Sequence, residues 1–150
     1  MTGAVLVTGA SGFLGRPLVR ALLKEGRPVI ALCRRPEALG DFQGSALRIV
    51  AGDFRDPSSD RSLLRDVSSV FHLAAARNRP SARAGEMEAI NGTATLGLAR
   101  RAGEAGVGRF INVATALIYG PSDRVKTEED GISPQDLPGA YERSRPIAAL

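Results

Sequence analysis

The chain has 150 residues and 15.8 kDa, with 20 Lys+Arg against 16 Asp+Glu and a formal net charge of +4. At 43% hydrophobic and 24% charged residues the composition is that of a globular protein, which excludes a disordered, fibrous or membrane-spanning chain. A chain this long makes one domain and buries roughly 70% of its unfolded surface.

The sequence pI of about 10.0 raises the question of nucleic acid. Apart from Lys24 and Lys126 every base is an arginine, but the two signs are interspersed and aromatics are only 5%, which favours a mixed solvated surface over a polyanion site. Cys33 is the single cysteine, so neither an internal disulfide nor a cluster of metal-binding thiolates can form; it is expected in a buried strand. The start Met-Thr-Gly-Ala lacks a basic leader and no apolar run approaches the ~18 residues of a membrane span, so a reducing cytoplasmic setting is expected.

In chain order, the apolar run Ala4 to Thr8, ended by Gly9, reads as a buried parallel strand. From Phe13 the period becomes helical, with Phe13, Leu14, Leu18, Ala21 and Leu22 on one face and Gly26 as the terminating glycine. Val29 to Cys33, Leu47 to Ala51, Val70 to Ala74 and Phe110 to Val113 read as four further strands. Helical segments are expected at Pro36 to Leu39, Arg61 to Val67 and, most strongly, Ala84 to Ala105. Residues 120 to 140 read as one long loop rich in Gly, Pro, Asp and Glu. Short apolar strands alternating with helices predict an α/β fold: a doubly wound, Rossmann-type parallel sheet of order 3-2-1-4-5.

Gly9, Gly12 and Gly15 stand between the first strand and the first helix. A tight turn there needs a residue without Cβ, the backbone must approach a diphosphate closely, and the helix N-terminus offers free N–H groups to an anion. That context separates a dinucleotide cradle from a purely structural turn.

The segment Thr8-Gly9-Ala10-Ser11-Gly12-Phe13-Leu14-Gly15 resembles the Thr-Gly-x-x-Gly-x-x-Gly signature of the short-chain dehydrogenase/reductase superfamily, in the form of its extended branch of NAD(P)-dependent epimerases, dehydratases and reductases. Gly52-Asp53 resembles the adenine-contacting segment, and His72-Leu73-Ala74-Ala75 the His-x-Ala-Ala segment along the cofactor ribose. Asn91, Thr95 and Leu98 match part of the central-helix pattern, with Ala94 and Gly97 where Gly and Asn are usual. Phe110 to Gly120 resembles the strand-five segment that ends in Tyr-Gly. The resemblance implies cofactor contacts from Gly9, Ser11, Gly12, Phe13, Leu14, Gly15, Asp53, Phe54, Leu73, Ala74, Ala75 and Asn91. For Asp53 the alternative is a turn cap; for His72 a packed strand residue is favoured over a catalyst.

Charge bears on the choice of cofactor. In NAD-specific members an acid about 20 to 25 positions beyond the glycines bonds both ribose hydroxyls and repels a 2′-phosphate. Here the second strand ends Cys33-Arg34-Arg35-Pro36, and a guanidinium pair offers charge-assisted, bidentate bonds to a phosphate, so NADP(H) is favoured over NAD(H).

The resemblance further implies Tyr141 as the acid/base, Thr115 as the hydroxyl that orients the substrate oxygen, and Arg145 in the place of the usual lysine of Tyr-x-x-x-Lys. A free tyrosine has a pKa of about 10, so this chemistry needs a cation beside it. Arg145 keeps the charge in another shape, and Pro146 disfavours a helical Arg145. The alternative for Thr115 is a hydroxyl bonded to the backbone beyond strand five, and for Tyr141 an ordinary helix or loop tyrosine. Arg77, Arg79 and Arg83 follow strand four, either as a solvated loop or facing an anionic substrate.

Two functions remain open on this reading. One is the dinucleotide-binding domain, residues 1–150, of an enzyme that transfers hydride at a carbinol or carbonyl carbon of a sugar nucleotide or other small carbonyl compound. The other is a non-catalytic NADP(H)-binding module that acts through a partner protein. The sequence runs nine residues past Tyr141, so the C-terminal substrate-binding part is expected to be absent. Strand five should then be an exposed edge open to association with another chain, as in a homodimer.

Overall fold

The computed structural model describes residues 3–57, 60–77, 85–130, 137 and 139–145. Five strands, β1 (Ala4–Thr8), β2 (Val29–Cys33), β3 (Leu47–Ala51), β4 (Val67–His72) and β5 (Arg109–Asn112), form one sheet ordered β3-β2-β1-β4-β5. Every pairing is parallel, and Thr8 lies opposite Leu32 on one side and His72 on the other. This is the Rossmann-type topology expected of short strands alternating with helices. β2 is buried along its whole length and β1 from Val5 to Thr8. Both feed a core cluster that includes Val5, Val7, Val19, Leu22, Ala31 and Leu39. The buried Cys33 thiol, raised in pKa by that burial, belongs to the same cluster.

β1, β2 and β3 fall at the expected residues; β4 and α1 do not. β4 starts at Val67, because Ser68 and Ser69 hide a strand that apolar periodicity would miss. The Ser68 hydroxyl donates to the Gly3 carbonyl at 3.0 Å, which satisfies its burial. The short helix α2 (Asp60–Leu63) therefore ends before the expected Val67, and Asp66 makes the turn with φ of 61°. Helix α1 (Gly15–Lys24) begins two residues after Phe13 and buries Gly15, Val19 and Leu22. Phe13 is 93% exposed and Leu14 53%, and Ala21 is exposed too, so these three are not the core residues that their spacing suggested.

The long helical segment is not uniform. Glu88–Ala94 is a π-helical stretch that continues as α3 (Thr95–Glu104), whose Leu98 and Ala102 are buried. A 3₁₀ turn spans Ala116–Tyr119 and a short helix α4 spans Ala140–Ser144. The chain divides into two compact units, Met1–Ala74 with Gly97–Val113, and Ala75–Leu96 with Ala114–Leu150. Among the described residues no helix is long and apolar enough to cross a membrane.

Candidate functional site

In the first unit the turn between β1 and α1 is shaped by backbone contacts that leave no room for side chains. Gly9 has φ of 65°, and a Cβ there would stand 2.8 Å from the Ala74 nitrogen, just beyond β4. At Gly15 a Cβ would strike the Gly9 carbonyl oxygen and lie 2.6 Å from that of Ala10. Gly12 is looser: its N–H donates to the Gly9 carbonyl at 2.9 Å, and a Cβ would be 3.1 Å from that oxygen. α1 carries no acid in its first turn and no side-chain cap, so the positive end of its dipole is left for an anion. Ser11, Phe13 and Leu14 lie in this turn, where their backbone can serve; the exposed Phe13 ring supports nothing.

The turn is braced from beneath by Thr8. Its hydroxyl lies 2.8 Å from His72 Nδ1 and accepts from the Ala74 N–H at 3.3 Å, which ties the ends of β1 and β4 together. His72 is fully buried, edge-on to Phe54 with centroids 4.6 Å apart and 5.9 Å from Phe110. It is a packed strand residue. Phe54 is likewise buried against it, so that only its backbone or ring rim is left for a ligand.

Arg34 and Arg35 are exposed at the end of β2. Asp53 follows β3, and its Oδ1 accepts from the Arg55 N–H at 3.0 Å and from Arg55 Nε at 2.9 Å. Its Oδ2 accepts from Arg55 Nη2 at 2.6 Å, and this pairing with Arg55 holds the carboxyl below its ordinary pKa. The turn-capping alternative for Asp53 is thus realised in the fold. Sequence reasoning passed over Arg55, although its spacing of two residues suits an Asx-type turn.

The second unit contains the remaining candidates. Asn91, 1% exposed and inside the π-helical stretch, accepts from the Ala76 N–H at 2.7 Å and donates to the Ala76 carbonyl at 3.0 Å. It also donates to Ser144 Oγ at 3.0 Å, and Ser144 Oγ donates to the Tyr141 carbonyl at 2.7 Å. Both ends of the Asn91 amide are engaged within the protein. π-helical turns recur at functional sites because they break the regular ladder.

Thr115 caps the 3₁₀ turn, its hydroxyl accepting from the Leu117 N–H at 3.4 Å. Tyr141 lies in α4. Despite the proline that follows it, Arg145 keeps a helical backbone with φ of −91° and ψ of −33°. Its guanidinium carbon stands 5.8 Å from the Tyr141 ring centroid, so the two residues share a face. Burial lowers the Arg145 pKa from its ordinary value, but an arginine remains charged. Ala75 opens the segment that Asn91 holds, and Leu73 and Ala74 leave the sheet just before it. Arg77 is exposed; Arg79 and Arg83 lie outside the described residues, as does part of the long loop after Gly120. Among the described residues no group of three or more His, Cys, Asp or Glu could hold a metal.

The family described as "NAD dependent epimerase/dehydratase family" matches residues 5–148. The chain is 33% identical over 144 residues to sterol demethylase protein B of Methylococcus capsulatus, covering 95% of this chain and 44% of that protein. Among solved structures, MoeE5 in complex with UDP-glucuronic acid and NAD superposes with a TM-score of 0.81 at 35% identity, covering 97% of this chain and 46% of that one. DesIV, a dTDP-glucose 4,6-dehydratase from Streptomyces venezuelae with NAD and TYD bound, does so with a TM-score of 0.82 at 31% identity, covering 96% and 48%. The chain therefore spans a little under half the length of these relatives.

Proposed function

Because the chain belongs to the NAD dependent epimerase/dehydratase family, we propose that it binds a nicotinamide dinucleotide and serves hydride transfer on a sugar nucleotide or other small carbonyl compound. The observation that carries this reading is the turn itself. At Gly9 and Gly15 a Cβ would meet backbone, and beyond them stands an uncapped helix N-terminus without an acid, a donor set that fits a diphosphate. MoeE5 and DesIV are described with NAD and with sugar nucleotides or a nucleotide, which supports both ligand classes.

The backbone of Gly9 to Gly15 would hold the diphosphate, and Arg34 with Arg35 a 2′-phosphate. NADP(H) is thus preferred here over the NAD found in those two relatives, because β2 ends in two exposed guanidiniums. When bound, the nicotinamide supplies the hydride acceptor or donor. Tyr141 takes the hydroxyl proton of a carbinol, or returns it to a carbonyl oxygen, through its phenol oxygen. Arg145 places a positive charge against the tyrosine ring, and Thr115 offers a hydroxyl to the substrate oxygen. Asn91 holds α4 through Ser144.

The test is single-turnover oxidation of bound NADPH against a panel of carbonyl compounds and sugar nucleotides, with Tyr141→Phe beside the parent chain. Turnover that falls at least 100-fold in the variant supports catalysis. Binding without turnover, indifferent to that change, would instead make the chain a cofactor-binding module acting through a partner. That second reading is favoured by the planar Arg145 in place of a lysine. For the cofactor preference, Arg34→Ala should weaken NADPH and spare NADH; equal affinities in the parent chain would end the NADP(H) reading.

A further inference from the structure

Four side chains that the function above leaves unused form one cluster in the first unit. Arg16, the residue after Gly15, donates through Nη1 to the Ala38 carbonyl and through Nη2 to Asp41 Oδ1 and Oδ2 at 2.8 and 2.7 Å. Arg20, one turn further along α1, donates to Asp41 Oδ2 at 2.9 Å. Both guanidinium carbons stand over the Phe42 ring, 5.0 and 4.9 Å from its centroid, and Phe42 packs against the core cluster that contains the fully buried Leu39. The cluster straps the segment 36–42 to α1. One end of the strap lies one residue beyond the glycine turn, and the other lies just beyond Arg34 and Arg35.

We propose that Arg16 and Asp41 are positioning residues for cofactor selection: their strap holds the segment after β2 so that Arg34 and Arg35 stand where a 2′-phosphate can meet both. The proposal rests on the NADP(H) reading of those two arginines. A lone surface ion pair does little. This one differs, because a single guanidinium spans a backbone carbonyl and a carboxylate while stacking on a ring, which fixes orientation as well as distance. Bidentate phosphate recognition depends on such orientation, whereas a dinucleotide without the 2′-phosphate does not engage the arginines and is indifferent to it. A lysine at position 16 keeps the charge but cannot hold the three acceptors in one plane.

The sign of one substitution separates positioning from charge. Asp41→Asn removes a negative charge, and by Coulomb attraction alone it would strengthen binding of a phosphate. The strap predicts the opposite. Calorimetric titration of the whole chain with NADPH and with NADH, for the parent, Asp41→Asn, Arg16→Lys and Arg34→Ala, reads the difference. Asp41→Asn and Arg16→Lys are each expected to weaken NADPH at least fivefold while NADH stays within twofold, with melting temperatures close to the parent's. Should Asp41→Asn fail to fold, Arg16→Lys, which preserves charge, carries the same test. Unchanged or tighter NADPH binding in both variants, with Arg34→Ala still abolishing the preference, would overturn the strap and leave the NADP(H) reading standing. Equal losses for both cofactors would reduce the cluster to support of the fold, which also overturns it. A parent chain without preference would remove both.

Discussion

The two compact units encode their candidate sites in different currencies. In the first, Gly9, Gly12 and Gly15 act by the absence of side chains, and the space they leave is bounded by the carbonyls of Gly9 and Ala10 and the nitrogen of Ala74. In the second, Asn91 and Ser144 act through side-chain hydrogen bonds that end on the Tyr141 carbonyl, and Arg145 through its contact with the Tyr141 ring. A backbone cradle tolerates no added atom at its tight points. A side-chain network tolerates replacements that keep its donors and acceptors, and fails when one partner is left buried and unpaired.

The largest effect expected from that contrast is at Gly15. Gly15→Ala drives a methyl group into two backbone oxygens, which should cost about 3 kcal/mol in urea unfolding and lower NADPH affinity at least 100-fold. Next is Asn91→Leu, which strands the Ala76 N–H and carbonyl and should cost about 2 to 3 kcal/mol by the same measurement. Ser144→Ala, which removes the link from Asn91 to α4 and the bond to the Tyr141 carbonyl within it, should cost about 1 kcal/mol. An Asn91 whose loss weakens cofactor binding while sparing stability would contradict the network and favour a direct cofactor contact.

The smallest effect is one of pH. Asp130 accepts from the Thr127 N–H at 2.7 Å and pairs with Arg124, chiefly through which its pKa falls from 3.8 to about 2. A depressed carboxyl stabilises the fold above its unfolded pKa, and that contribution is lost as pH falls through its folded value. Carboxyl NMR titration should therefore place the Asp130 midpoint near 2, and Arg124→Ala should return it toward the ordinary value.

Much of the first unit was legible because its signals are local. β2 and the first four residues of β1 are unbroken apolar runs, and the glycine spacing sits between β1 and a helix. β4 was partly hidden because Ser68 meets its hydrogen-bonding need against Gly3, a partner no periodicity reveals. The face of α1 was misread because Phe13 and Leu14 belong to the turn, where apolar spacing carries no packing meaning. The strap joins Arg16 to Asp41 and the network joins Asn91 to Ser144, pairs far apart in the chain. Nothing in the local sequence marks the π-helical stretch either. For Arg145, local steric reasoning from Pro146 lost to tertiary burial. Asp53 and His72 were legible only as alternatives, and the fold realises the turn cap and the packed strand residue.

The central claim, that the β1–α1 turn cradles a dinucleotide diphosphate, is tested most directly at Gly12. Gly12 is exposed with a Cβ position 3.1 Å from the Gly9 carbonyl oxygen, so alanine needs only a small shift there and the fold should survive. Calorimetric titration of the parent chain and Gly12→Ala with NADPH should give saturable binding at one site per chain in the parent and at least tenfold weaker binding in a variant that melts within a few degrees of it. Equal binding by the two proteins, or a parent chain that binds no dinucleotide, would contradict the account.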